Sequence, residues 1–197
     1  MVSVRKLKPA TYDEYLALPE DQKAELIDGE IFLMSGPKLR HVRIASNLGS
    51  AINSRHGQYA GPTDSGPGGW WIFFEPEVHL RLDRRVVRPD IAGWRRERMP
   101  ELSLDTHKVT VVPDWVCEIL SPSTMRWDML VKMPRYLEAG VRFVWLVDPV
   151  ERRVDALMAK DGEWADAGSV EVGPTLALPP FDESTFDLTP IWGAPNP

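Results

Sequence analysis

The sequence predicts a mixed α/β fold, a sheet-forming core flanked by hairpins, and three observations predict it. Segments of helical and of strand period alternate in the order α-β-β-β-α-β through the middle of the chain. Two Asp-Gly pairs, Asp28-Gly29 and Asp161-Gly162, each stand between runs of strand character, a tight-hairpin signal before and after that middle. Two acids, Asp90 and Glu118, are embedded in apolar strand sequence. A strand buried on both faces must neutralise such an acid, pair it, or use it to hold a cation.

Taken in order, "TYDEYLALP" reads as a short helix, because Thr11 and Glu14 have capping-box spacing and Pro19 stops it. "AELIDGEIFLM" is the first hairpin, and "SGPK" breaks the chain. A helix follows over about 41–55, with Ile44, Ala45, Leu48, Ala51 and Ile52 on one face. After the Gly/Pro-rich loop "HGQYAGPTDSGPGG" come the strands "WWIFFEPEVHLRL" and "VVRPDIAGW", turning near Asp83-Arg84. "PDWVCEIL" is the next strand, "SPST" breaks it, and a helix is expected over about 125–139 with Gly140 as its C-terminal cap. "VRFVWLVDP" is another buried strand, and "VDALMAKDGEWADAG" is the second hairpin. The Pro-rich end, "GPTLALPPFDESTFDLTPIWGAPNP", reads as a wrap over the surface. The expectation is one domain over 1–197: a helix and hairpin (1–40), a core (41–150), and a hairpin with a tail (151–197).

Composition sets the class. An apolar fraction of 43% and a charged fraction of 26% belong to an ordinary globular chain of 197 residues. A net charge of -6 does not attract nucleic acid as a whole, so such a partner needs a local basic surface. Cys117 is the only cysteine, which excludes an internal disulfide and suits a reducing compartment. "MVSVRKLKPA" lacks the apolar stretch of a signal peptide, and no run approaches the roughly 20 apolar residues of a membrane helix. A cytoplasmic protein with no membrane partner is expected. A G-x-S-x-G elbow, a P-loop and a dinucleotide fingerprint are missing, and the four scattered histidines do not suggest structural zinc.

Period-2 geometry puts Val116, Glu118 and Leu120 on one face of their strand, and Trp115, Cys117 and Ile119 on the other. Both faces are apolar, which suggests that Glu118 lies at the end or edge of a covered sheet. Pro89 lacks a donor, so the strand carrying Asp90 is interrupted or at an edge there. If the two strands are neighbours, the carboxylates face one gap, where two like charges need a cation between them. Oxygen ligands from two carboxylates plus water suit Mg2+. The alternative is that each acid pairs with an arginine such as Arg88 or Arg126. On the following helix Asp128 and Lys132 share a face, either as a site lysine with its support or as an ordinary i,i+4 pair.

"ELIDGEIFLMS", "VRPDIAGW", "CEILSPSTMRWDMLVK" and "YLEAGVRFVWLVDP", in this order, resemble the Uma-type restriction endonucleases, a family of the PD-(D/E)xK nuclease superfamily. The resemblance covers about 11–160. It implies a restriction-endonuclease-like αβββαβ core, with the N-terminal helix-hairpin and the C-terminal hairpin as additions. It also implies Mg2+-dependent (or Mn2+-dependent) hydrolysis of phosphodiester bonds, and often a homodimer. Asp90 corresponds to the motif aspartate and Glu118 to the motif acid. The superfamily lysine stands two residues beyond that acid, where this chain has Leu120; in the Uma-type pattern it lies on the next helix, here Lys132, with Asp128 as the acid of D-x-x-x-K. Glu30 is an additional candidate carboxylate, ahead of Glu77 and His41, and the Ile119 carbonyl is the third expected metal ligand. Pro134 departs from a regular helix and should kink or restart it beside Lys132.

DNA is the implied partner. Arg84, Arg85, Arg88, Arg95 and Arg96, with Arg81 and Arg98, flank Asp90 and suit phosphate contacts; the alternative is that they solubilise strand ends and pair with acids. Trp70 and Trp71 are either base-stacking groups or core. Two functions follow: a Mg2+-dependent endodeoxyribonuclease, or a catalytically silent nuclease-fold dimer acting as a nucleic-acid-binding or scaffold module.

Overall fold

In the computed structural model the described residues are 2–3, 8–57, 69–81, 84–101, 103, 105–122, 124–171, 177–183, 185, 187 and 189–192. They form two mixed sheets. The first contains β1 (Val2–Ser3), the hairpin β2 (Ala24–Ile27) and β3 (Glu30–Leu33), then β5 (Glu77–Arg81), β6 (Arg85–Val87) and β8 (Lys108–Val109), in the order β1-β3-β2-β6-β5-β8. The second contains β4 (Trp70–Phe74), β7 (Ile91–Arg95), β9 (Trp115–Ile119), β10 (Phe143–Asp148), β11 (Arg153–Lys160) and β12 (Glu163–Val170), in the order β12-β11-β10-β9-β7-β4.

Local chemistry sets the boundaries. Helix α1 (Tyr12–Leu16) opens on the capping box: Glu14 N donates to Thr11 Oγ1 at 3.2 Å, and Thr11 N donates to Glu14 Oε2 at 3.0 Å. Both Asp-Gly turns have positive φ at both residues, 49° and 88° for Asp28-Gly29 and 52° and 82° for Asp161-Gly162. That is the twist a two-residue hairpin requires. Helix α2 (Leu39–His56) buries Ile44, Leu48 and Ile52 as its periodicity predicts. The Gly/Pro-rich loop and the turn at Asp83 lie mostly outside the described residues.

Two predicted strands are each broken in two. The run from Trp70 to Arg81 splits at Glu75-Pro76, where Glu75 has φ 43°, and the run from Arg85 to Arg95 splits at Arg88-Pro89. The breaks lie side by side, since Glu75 N donates to the Asp90 carbonyl at 3.0 Å. Across them the chain passes between sheets, so β4 and β7 pair in one and β5 and β6 in the other. The core is therefore α2, β4, β7 and β9 antiparallel in turn, a helical segment, and β10 parallel to β9: αβββαβ.

Both faces of the second sheet are covered. Trp115, Cys117, Ile119 and Trp145 pack with Ile44, Leu48 and Ile52 of α2, while Val116, Val144 and Leu146 pack with Met133, Tyr136 and with Val78 and Val87 of the first sheet. The C-terminal stretch is not simply a surface wrap. Phe181 is fully buried against Trp70, Trp115 and Trp145, Leu178 and Ile191 join the same cluster, and the Trp145 indole donates to the Pro179 carbonyl at 2.6 Å. Widely spaced apolar residues in a Pro-rich chain supply this plug without a periodic signal. Trp70 is 3% exposed and belongs to the same core, and the Trp71 indole donates to the Met99 carbonyl.

Candidate active site at the ends of β7 and β9

Strand β9 lies between β7 and β10, so Glu118 stands at a strand end but not at a sheet edge. The antiparallel register pairs Ile91 with Cys117; carried one residue further, it sets Asp90 opposite Glu118. Asp90 precedes β7 at the Pro89 break, free of the ladder. Its Oδ2 accepts from Ile119 N at 2.6 Å, and its Oδ1 lies 2.8 Å from His41 Nε2 in the first turn of α2. Neither Arg88 nor Arg126 pairs with it in this arrangement. Ile119 thus offers Asp90 its amide hydrogen, a contact not expected from the sequence.

Glu118 is 2% exposed, and its Oε1 accepts from the Tyr136 hydroxyl at 2.5 Å and lies 2.7 Å from Lys132 Nζ. Lys132, itself 2% exposed, also lies 3.2 Å from Glu25 Oε1 and 3.7 Å from Asp128 Oδ1. Glu25 was not among the sequence candidates. It is fully buried in β2, where its carboxylate further accepts from Arg88 N and from the Trp127 indole, each at 2.9 Å. Glu30, the carboxylate expected from this hairpin, pairs with Ile27 at the turn end of β3 and is exposed. It shares a sheet face with Glu25 but sits beyond the covered part. The missed signal is the one that singled out Glu118, an acid inside an apolar run, here "AELI".

Pro134 leaves Lys132 in place. Helix α3 (Met125–Trp127) runs into a π-helical turn (Asp128–Lys132) and then α4 (Met133–Ala139), with Pro134 in the first turn of α4. Met133 N donates five residues back to the Asp128 carbonyl, and the widened turn receives a residue that has no N–H to donate. Asp128 and Lys132 both face inward from that turn.

One ammonium therefore serves a group of carboxylates, and the electrostatics reflect it. Burial pushes the Glu118 carboxyl well above its usual range; Lys132 opposes this, while Asp128 and Asp90 add to it. Burial likewise raises Asp128 against the pull of Lys132. Desolvation would lower the Lys132 ammonium, but Glu118 and Glu25, with Tyr136 and Asp128, hold it well above normal and charged. Desolvation would also lower His41, and its hydrogen bond to Asp90 together with that charge outweighs it. Among the described residues no three His, Cys, Asp or Glu side chains converge as a ready metal cage. Two neighbouring carboxylates, the partly exposed Asp90 and the buried Glu118, nonetheless fit Mg2+, which keeps much of its water and takes one or two protein carboxylates.

Most of the predicted DNA-binding arginines are engaged elsewhere. Arg85 pairs with Asp28 at 2.8 Å and Glu138 at 2.6 Å, Arg88 with Glu77, and Arg98 with Asp114 at 2.7 Å. Arg84 donates its amide to the Arg81 carbonyl and accepts from Asp28 N through its own carbonyl. Arg95 and Arg96 stack over Trp70 and Trp71 at the other end of β7, about 17 Å from Asp90 at ~3.4 Å per strand residue. A cleft of about 330 Å³ opens there, lined by His56, Trp70, Arg95, Arg96, Glu97 and Glu183, among others, with charges of both signs.

The αβββαβ core makes this a restriction-endonuclease-like protein. The model of the Uma2 family, described as "Putative restriction endonuclease", matches residues 12–189, and the chain belongs to that family. A solved structure described as a "putative nuclease belonging to DUF820", from Anabaena variabilis ATCC 29413, superposes with a TM-score of 0.72 at 26% identity, covering 93% of this chain and 98% of that one. A comparison with curated proteins returned no match. No helix among the described residues is long and apolar enough to cross a membrane.

Proposed function

We propose that the chain is a divalent-metal-dependent endodeoxyribonuclease whose working groups are Asp90, Glu118 and Lys132. The observation that carries this reading is the burial of Lys132 between Glu118 and Glu25, beside a second acid, Asp90, that the β7–β9 register sets opposite Glu118. Family membership and the nuclease neighbour support hydrolysis of nucleic acid; the metal and the DNA substrate are our own extension.

In this reading Asp90 and Glu118 hold Mg2+ or Mn2+, with the Ile119 carbonyl as a third ligand. A bound divalent ion supplies an acidified water and polarises a phosphate oxygen. The chain's own groups do the rest. Lys132, kept charged, faces the charge that builds on the phosphate and orients the attacking water. Glu25 and Asp128 fix that amine. His41 and the Ile119 amide hold the Asp90 carboxylate, and Tyr136 holds Glu118. A homodimer remains part of the proposal through the family resemblance, and a cytoplasmic location through the single cysteine, Cys117.

The silent-scaffold alternative draws its support from Pro134 and from the net charge of -6; the π-helical turn, which keeps Lys132 Nζ 2.7 Å from Glu118, weighs against the first of these. Supercoiled plasmid incubated with purified protein and Mg2+ tests the choice. Nicked and linear products are expected from the wild type and not from Asp90→Ala or Lys132→Met. Undiminished cleavage by Asp90→Ala overturns the assignment of Asp90, and an inactive wild type returns the scaffold reading.

A further inference from the structure

We infer that the nucleic-acid backbone is gripped by the exposed cationic start of α2, through Lys38 at its N-cap and Arg40 in its first turn, rather than by the arginines that flank Asp90 in sequence. This rests on the nuclease reading above and adds to it the surface that meets the substrate.

Three observations carry it. First, position: His41 touches Asp90 at 2.8 Å, so the residues within one turn of it, about 5.4 Å of helix rise, border the candidate site. Second, exposure: His41 turns inward and Ile44 enters the core, while Lys38, Leu39 and Arg40 face outward, Leu39 at 87% exposure. Neither Lys38 nor Arg40 forms an ion pair among the described residues. Third, charge pattern: the segment "KLRHVR" places several basic side chains where helices ordinarily carry acids, its first turn has no acid, and no side chain caps it. A basic surface that local helix chemistry disfavours is intelligible if it meets an anion. The contrast with the other arginines favours this one: Arg85, Arg88 and Arg98 are paired with acids, Arg95 and Arg96 lie at the far end of β7, and Arg81 and Arg84 stand at the β5–β6 turn, at the end of β6 away from Asp90.

The partner class is a polyphosphate backbone crossing the mouth of the site, with Lys38 and Arg40 contacting phosphates beside the one held near Asp90. These contacts position the strand and read no sequence. Each exchanges a condensed counterion for a protein cation, so each adds to the salt dependence of binding.

Fluorescence anisotropy with a labelled duplex, in EDTA so that cleavage and metal play no part, tests this at several salt concentrations. Lys38→Ala/Arg40→Ala should weaken binding about tenfold or more and flatten the slope of log K against log salt by about 1.8, the value for two lost phosphate contacts. Arg95→Ala/Arg96→Ala should change binding less than about twofold. Equal affinity and slope for the α2 variant, or a larger loss for the Arg95/Arg96 variant, overturns the inference while leaving the nuclease reading intact, provided the wild type cuts plasmid. A wild type that neither binds duplex nor cuts plasmid defeats both.

Discussion

The Lys132 ammonium lies 2.7 Å from Glu118 Oε1, and both side chains are 3% exposed. It reaches Glu25 as well, so one cation joins strands from two different sheets. Removing one partner of a buried ion pair leaves the other charge uncompensated, which costs about 3–5 kcal/mol. Lys132→Met is therefore expected to lose stability on that scale, read from urea unfolding at neutral pH. A loss below about 1 kcal/mol would mean the carboxylates are satisfied without it.

Glu25 organises the same space from the first sheet. Glu25→Ala orphans Arg88 N and the Trp127 indole and removes a neighbour of Lys132, an expected loss of about 2–4 kcal/mol from its unpaired buried groups. Glu25→Gln keeps an acceptor and should lose less. Equal losses for the two substitutions would show that the carboxylate charge, not its hydrogen bonding, matters.

The C-terminal stretch contributes core. Phe181 is fully buried among Trp70, Trp115 and Trp145. Phe181→Ala should cost about 3–5 kcal/mol by lost transfer energy and the cavity left behind. A thermal midpoint unchanged by the substitution would place this residue outside the cooperative core.

His56 gives the pH dependence a sign. Burial, with the charges of Arg55 and Arg95, lowers its pKa from 6.5 to about 4, so it is neutral in the folded protein at pH 7. On acidification the unfolded chain takes up the proton first, near pH 6.5. The contribution is fully present above that value and is lost as pH falls to about 4. By linkage the loss approaches about 3 kcal/mol, at ~1.4 kcal/mol per unit. Chemical unfolding at pH 7 and pH 4.5 should show wild type losing more than His56→Gln; equal losses would contradict it.

Much of the fold was legible because it rests on local chemistry: the Thr11–Glu14 capping box, two Asp-Gly turns and the Ile44-Leu48-Ile52 face each act within a few residues. The exchange of strands between sheets at Glu75-Pro76 and Pro89 was not legible, because pairing partners are chosen by long-range packing. Asp90, Glu118, Asp128 and Lys132 stood out as charges in apolar or helical settings, and the fold brings Glu118 and Asp128 to the Lys132 ammonium, with Asp90 close enough to act on both carboxylates. Glu25 carried the same signal, yet Glu30 drew the reading because it stands in the turn motif. The pairing of the arginines was not legible for a physical reason: sequence proximity to Asp90 says nothing about the acids, Asp28, Glu77 and Asp114, that folding sets beside Arg85, Arg88 and Arg98.

Calorimetric titration of Mn2+ into the protein tests the central claim, that Asp90 and Glu118 together hold a divalent ion. Saturable binding to the wild type, lost in Asp90→Asn and in Glu118→Gln while both variants remain folded, is the predicted result. Binding that persists unchanged in the folded variants, or none at all in the wild type, would contradict it.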